Sequence, residues 1–181
     1  MSSASRLQQH VARLCAAGAL LLAWLPVCAV NEADVKAAIV VNLLAFVDWP
    51  AQSAPPANAP LVLCVGAQHP LRAPLGTLHG RSVRQWALQV RELGANDATA
   101  QCHALLIDDA LLAARPALRR ELHTLPLLSF ADAQQAADAT VCIRLDVVDG
   151  RVTFTVDLAT ARANGLTLSS RLLRLAREVR E

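Results

Sequence analysis

The sequence predicts a three-layer α/β sandwich built on a largely parallel sheet, with an antiparallel hairpin near the C-terminus. Three observations predict it. Short apolar runs of strand length alternate with helical patterns through most of residues 30–181, as they do where helices cover both faces of a parallel sheet. Two of those runs, 61–65 and 103–107, are almost wholly apolar, the composition of strands covered on two sides. Asp149-Gly150 stands between two alternating stretches, and both residues tolerate the positive φ that a tight hairpin turn requires. Apolar residues make up 54% of the chain and charged residues 18%, enough to bury a sizeable core. With three Phe, three Trp and no Tyr, that core must come from Leu, Val, Ile and Ala. No internal repeat and no second domain is visible.

The elements follow in order. Residues 35–49 read as a helix, capped by Asn31 with Asp34 three residues on. Val35, Ile39, Asn42 and Phe46 share one face, and Ala38, Val41, Leu43 and Val47 widen the apolar surface. Such a helix is core on most sides or shows an apolar face to another chain, and core is the commoner case. Trp49-Pro50 ends it, and 51–60 is a loop rich in Pro and Ala. A strand at 61–65 stops at Gly66, and 70–78 suits a short helix. Residues 85–93 alternate Trp86, Leu88 and Val90 against Gln85, Gln89 and Arg91, as a half-buried strand does. After the strand at 103–107, Asp108-Asp109 cap a helix to about Leu122. A short strand at 126–129 and a small helix near 131–137 follow. The hairpin pairs 140–148 with 151–157, and 158–163 makes one or two helical turns stopped by Asn164-Gly165. A last helix, capped by Ser169, runs from Ser170 to about Val179 with Leu172, Leu173, Ala176 and Val179 as its buried stripe.

The first 29 residues read as a secretory signal peptide. Arg6 and Arg13 give a basic start, and the apolar run 14–25 is too short for a comfortable membrane span. Val27-Cys28-Ala29 offers a cleavage site after Ala29. A lipoprotein signal at Cys28 ranks lower, because Leu25-Pro26-Val27 lacks the small residue that normally precedes a lipidated cysteine. The expected mature chain, 30–181, is a single domain outside the cytoplasm with no stable membrane insertion. Cleavage lowers the 17 basic residues by two, to equal the 15 acidic ones. A chain with no net charge and few aromatics is a poor nucleic-acid binder.

Motifs for chemistry are sparse. Asp108-Asp109 follow an apolar strand, where a carboxylate pair can hold Mg²⁺, but Ala110-Leu111-Leu112-Ala113 makes helix capping the better reading. His69, His79, His103 and His123 have no zinc spacing and read as surface or strand-end residues. No nucleophile elbow, phosphate loop or dinucleotide fingerprint occurs. The expectation is therefore no catalytic residue, no metal and no cofactor. Cys64 and Cys102 lie in or beside two apolar strands and are either a bridge or two buried thiols. Cys142 reads as a buried thiol. Arg171, Arg174, Arg177 and Arg180 follow one another along the last helix. They read as a solvated face, with Glu178 and Glu181 as i,i+4 partners of Arg174 and Arg177.

The pattern resembles the YfiR family. Val35-Lys36-Ala37-Ala38 through Phe46-Val47-Asp48-Trp49-Pro50 is similar to that family's opening helix, and Leu61-Val62-Leu63-Cys64-Val65-Gly66 to its first strand. Cys102-His103-Ala104-Leu105-Leu106-Ile107 resembles a later strand. The most specific stretch is Asp149-Gly150-Arg151-Val152-Thr153-Phe154, then Gly165-Leu166, then Ser169-Ser170-Arg171-Leu172-Leu173-Arg174-Leu175-Ala176. The order and spacing of these pieces, from about Glu32 onward, carry the resemblance.

The resemblance implies a periplasmic protein, often a homodimer, that acts by binding. Its best-understood member represses an inner-membrane diguanylate cyclase through the cyclase's periplasmic region and so lowers cyclic di-GMP and biofilm formation. It makes Asp157, Arg162, Asn164, Leu166, Arg171 and Arg174 candidate partner contacts. Export and the resemblance together favour a Cys64–Cys102 disulfide, which would contribute about 4 kcal/mol in chain-entropy terms. A periplasmic small-ligand sensor acting on a membrane kinase is the alternative, and a hydrolase with an unlisted site is the third reading.

Overall fold

The computed structural model describes residues 31–181. The expected signal peptide, 1–29, lies outside the described residues. The elements are α1 (Glu32–Leu44), β1 (Val47–Asp48), β2 (Leu61–Gly66), α2 (Arg72–Gly76), β3 (Ser82–Val83), β4 (Trp86–Leu93), β5 (Ala104–Ile107), α3 (Asp109–Ala114), α4 (Leu118–Glu121), β6 (Leu128–Asp132), β7 (Ile143–Val148), β8 (Arg151–Asp157), α5 (Leu158–Ala163), β9 (Thr167–Leu168), α6 (Ser170–Leu175) and β10 (Glu178–Arg180).

Eight strands form one sheet in the order β10-β8-β7-β6-β5-β2-β4-β3. β7/β8 and β3/β4 pair antiparallel, and every other neighbouring pair is parallel. β1 and β9 make a separate antiparallel ribbon. The chain leaves β2 toward β4, then returns to β5 on the other side of β2, so the winding direction reverses there.

Alternation along the strands divides the interior in two. Leu61, Leu63, Val65, Ala104, Leu106, Leu128 and Phe130 face the larger core under α1, α2, α5 and α6. Cys64, Leu105, Ile107 and Ala131 face the smaller core under α3 and α4. Helices thus cover both faces, and the three-layer α/β architecture is the observed one. The β7–β8 hairpin turns at Asp149 and Gly150, with φ of 51° and 72°.

Several boundaries differ from the sequence expectation. α1 ends at Leu44, not Trp49, because Val47–Asp48 pairs with Thr167–Leu168 and a residue before proline disfavours helix. The helix expected from Asp108 to Leu122 is split at Arg115, which precedes Pro116 and leaves the helical region. No helix forms at 131–137, because β6 runs on to Asp132 in register with β5 and β7. The last helix stops at Leu175. Ala176 turns extended, and Glu178–Arg180 adds to β8 as a parallel edge strand. The expected i,i+4 pairs are therefore absent. Arg180 pairs with Glu178 at 2.8 Å and Arg177 with Asp146 at 3.6 Å.

Candidate partner-docking surface

The surface begins with α1. Its cap is Asn31, whose side chain accepts the Ala33 N–H at 3.2 Å. Ala37, Val40, Val41 and Leu44 turn into the larger core. That leaves Ile39 and Phe46 half-buried and Asn42 exposed, the face on which the sequence allowed either core or a seam. β8 runs alongside and offers Val152 and Phe154, and Leu175 closes the end. Together they enclose an apolar groove of about 390 Å³. Leu175 is 61% exposed, the one large hydrophobic side chain left in solvent among the described residues. The rim is polar. Arg177 reaches toward Asp146, and Arg81 donates to the Asn42 Oδ1 at 3.3 Å. An apolar floor with a charged rim suits the anchor side chain of a partner protein.

The six residues expected at a contact surface part company. Arg162, Arg171 and Arg174 are exposed, and Arg174 lies within 3.4 Å of the Ser170 Oγ. Asp157 caps α5 by accepting the Thr160 N–H at 2.7 Å. Asn164 and Leu166 are 4% and 3% exposed, so neither offers a contact surface. The Asn164 Nδ2 donates to the carbonyls of Leu122 and Leu127 at 2.8 and 3.0 Å, tying the end of α5 to the α4–β6 loop. Leu166 packs into the larger core. The resemblance alone made them candidates, and the long-range hydrogen bonds of Asn164 and the core packing of Leu166 explain their burial. Sequence reasoning missed Leu175, because a longer helix put the stripe on its neighbours.

The cysteines take structural places. Cys64 and Cys102 form a disulfide between β2 and the residue pair leading into β5. The Arg91 Nη2 lies 3.6 and 3.5 Å from the two sulfurs. Beside the bridge, the Trp49 Nε1 donates to the His103 carbonyl at 2.9 Å, and the His103 Nδ1 accepts the Val62 N–H at 3.0 Å. Burial pushes the Cys142 thiol pKa up, against the lowering effect of its Ser129 hydrogen bond. A protonated, enclosed thiol is a poor nucleophile.

A second polar cluster lies behind α1. Lys36, 5% exposed, sits between Glu32 at 2.8 Å and Asp132 at 2.5 Å. Burial lowers its pKa, but the hydrogen bonds and charges of Asp132 and Glu32 outweigh burial and hold the ammonium above its ordinary value. His69, read from the sequence as a surface or strand-end residue, follows the end of β2 and is 3% exposed, and burial lowers its pKa.

The sequence model of the DUF4154 family, described as YfiR/HmsC-like, matches residues 33–177. The chain belongs to the YfiR/HmsC-like family. The match takes in α1, the groove, the disulfide and α6. No curated protein matches this YfiR/HmsC-like chain. A solved structure similar to it is a conserved domain protein from Vibrio cholerae O1 biovar El Tor strain N16961. That protein is 10% identical, with a TM-score of 0.51, over 83% of this chain and 60% of the other. At that identity the likeness shows the fold alone, and the chain spans 60% of that relative's length.

Proposed function

We propose that this chain is a periplasmic regulator that represses an inner-membrane diguanylate cyclase by binding its periplasmic region, lowering cyclic di-GMP. Residues 1–29 are its cleaved signal peptide, and 30–181 are its one secreted domain. Membership of the YfiR/HmsC-like family is the observation that carries this reading. The apolar groove with exposed Leu175 supports docking rather than catalysis. In this proposal the groove takes an apolar anchor side chain of the cyclase against Leu175, and Arg171 and Arg174 on the same helix meet acidic residues of the cyclase.

No chemistry on the repressor is needed. A protein that binds the inactive arrangement of the cyclase more tightly than the active one lowers the active fraction by its differential affinity. Moving the balance from almost fully active to almost fully inactive requires a difference of about 5.5 kcal/mol. Hot-spot contacts made in the inactive arrangement and lost in the active one are of that order.

The test is recovery of a periplasmic cyclase domain by the tagged protein, read beside cyclic di-GMP in a deletion strain. The reading expects one cyclase recovered and raised cyclic di-GMP on deletion. Leu175→Glu should abolish recovery while leaving the far-UV spectrum unchanged. Unchanged cyclic di-GMP and no recovered cyclase would refute the proposal.

A further inference from the structure

We infer that the cavity at the amino ends of β2, β5 and β6 binds an uncharged carbonyl compound with an apolar body. Its volume is about 500 Å³, within the roughly 300–1,000 Å³ of small-molecule sites. Three connections build it: residues 52–56 before β2, 99–103 before β5 and 125–127 before β6. It is separate from the docking groove, whose walls come from α1, β8 and the chain at the end of α6.

The walls decide the charge of the guest. Ala54, Leu125 and Leu127 give apolar surface, and Gln52, Ser53, Gln101 and His103 give the polar part. None of the described residues that line the cavity carries a fixed charge. Burial lowers the His103 pKa, so the imidazole is neutral at neutral pH. A charge moved from water onto such walls has no counter-charge to meet. Arg91 stands behind Gln101 and is not part of the lining. Its guanidinium donates to the Gln101 Oε1 at 2.5 Å and to the Ala98 carbonyl at 3.3 Å, and its Nε is sealed from solvent.

The hydrogen-bonding groups left over are donors. The His103 Nδ1 accepts the Val62 N–H at 3.0 Å, so the neutral ring carries its proton on Nε2. The backbone N–H and carbonyl of His103 are bound to Val62, Trp49 and Leu128, so the half-buried ring is what this residue presents. Its Nε2 makes no hydrogen bond within the described residues and, unlike the Nε2 of His69, is open to solvent. Gln101 is exposed, and with its Oε1 held by Arg91 its amide nitrogen is free to donate. Cys102 between them is extended, with φ −95° and ψ 133°, so Gln101 and His103 leave the chain on one side. The Ser53 hydroxyl spends its proton on the Pro50 carbonyl at 3.2 Å, and the Thr99 hydroxyl is sealed from solvent. Two donors on one side of a neutral cavity call for a neutral acceptor, and one carbonyl oxygen has lone pairs for both.

Calorimetric titration of the purified protein with phenylacetamide, caprolactam and coumarin tests this, with phenylacetate and phenethylamine as charged analogues of the first. The inference expects saturable binding of at least one carbonyl probe with a Kd of about 1 mM or tighter, and charged analogues at least about tenfold weaker. Ala100→Trp places a large ring in the cavity from an exposed wall position and should abolish binding. Gln101→Ala removes one donor. His103→Asn keeps an acceptor near the Val62 N–H and deletes Nε2. Each of these two should weaken binding about threefold or more, the effect of one hydrogen bond. Should His103→Asn fail to fold, Ala100→Trp and Gln101→Ala still decide, since both residues are exposed. Absence of saturable binding by all three carbonyl probes would overturn the inference. So would tighter binding of phenylacetate or phenethylamine, or unchanged affinity in Ala100→Trp.

Discussion

Replacing Asp132 by Asn should destabilise the protein far more than a surface charge change does. Lys36 and Asp132 are 5% and 7% exposed, and their charged atoms are 2.5 Å apart. Exposed ion pairs contribute about 0–1 kcal/mol. Removing one partner of a buried pair costs about 3–5 kcal/mol, because it strands the other charge. Glu32 still reaches Lys36 at 2.8 Å, so the lower end, about 3 kcal/mol, is expected. Against a total of about 5–15 kcal/mol, that is a large share. The double variant Lys36→Met/Asp132→Leu should regain most of it, since no charge is left buried. Urea unfolding at neutral pH measures both. The pH dependence has a fixed sign. The Lys36 pKa is raised in the folded protein despite burial, chiefly by the Asp132 hydrogen bond. Its stabilisation is therefore full below the unfolded lysine pKa and is lost as pH rises through the folded one. The gap between wild type and Asp132→Asn should narrow in strong alkali. A loss under about 1 kcal/mol at neutral pH would refute the reasoning, as would a double variant no better than the single one.

Three further outcomes are expected. Cys64→Ala/Cys102→Ala should cost about 4 kcal/mol, since the bridge closes a loop of 38 residues; urea midpoints that do not respond to reductant would contradict it. Asn164→Ala should lower the melting temperature through about 1–3 kcal/mol of lost hydrogen bonding to the Leu122 and Leu127 carbonyls; an unchanged melting curve with weakened partner binding would return Asn164 to the surface. Burial lowers the pKa of His69 and of His103, so stability should be full above the unfolded histidine pKa and fall as pH drops through the folded values. His69→Asn should reduce that acid slope, which unfolding titrations across mildly acidic pH will report.

Much of the fold was legible because it follows from local patterns. The apolar runs ending at Val65 and Ile107 and the Asp149-Gly150 turn need no distant partner to be recognised. β10 was not legible. Arg177-Glu178-Val179-Arg180 continues a helical pattern acceptably, and only the open edge of β8 makes a strand the better use of its backbone. The polar cluster was hidden for the same reason, since Lys36 and Asp132 are 96 positions apart and nothing near either residue announces the other. The docking groove was half legible. The spacing of Ile39, Asn42 and Phe46 marked one side, while β8 and Leu175 join it only through the tertiary fold. Asn164 and Leu166 show the converse, since the resemblance offered them as contacts and three-dimensional packing buries them.

The two outermost strands have a bearing on crowding. An open sheet normally leaves backbone donors and acceptors at each margin, where strangers can zip on. Here stubs of two and three residues cover one end of each border strand, with Arg81 and Arg84 at one side and Glu178 and Arg180 at the other. Backbone of β4 beyond Leu88 and of β8 before Thr155 stays at the margin, and the charged stubs beside it work against filament growth.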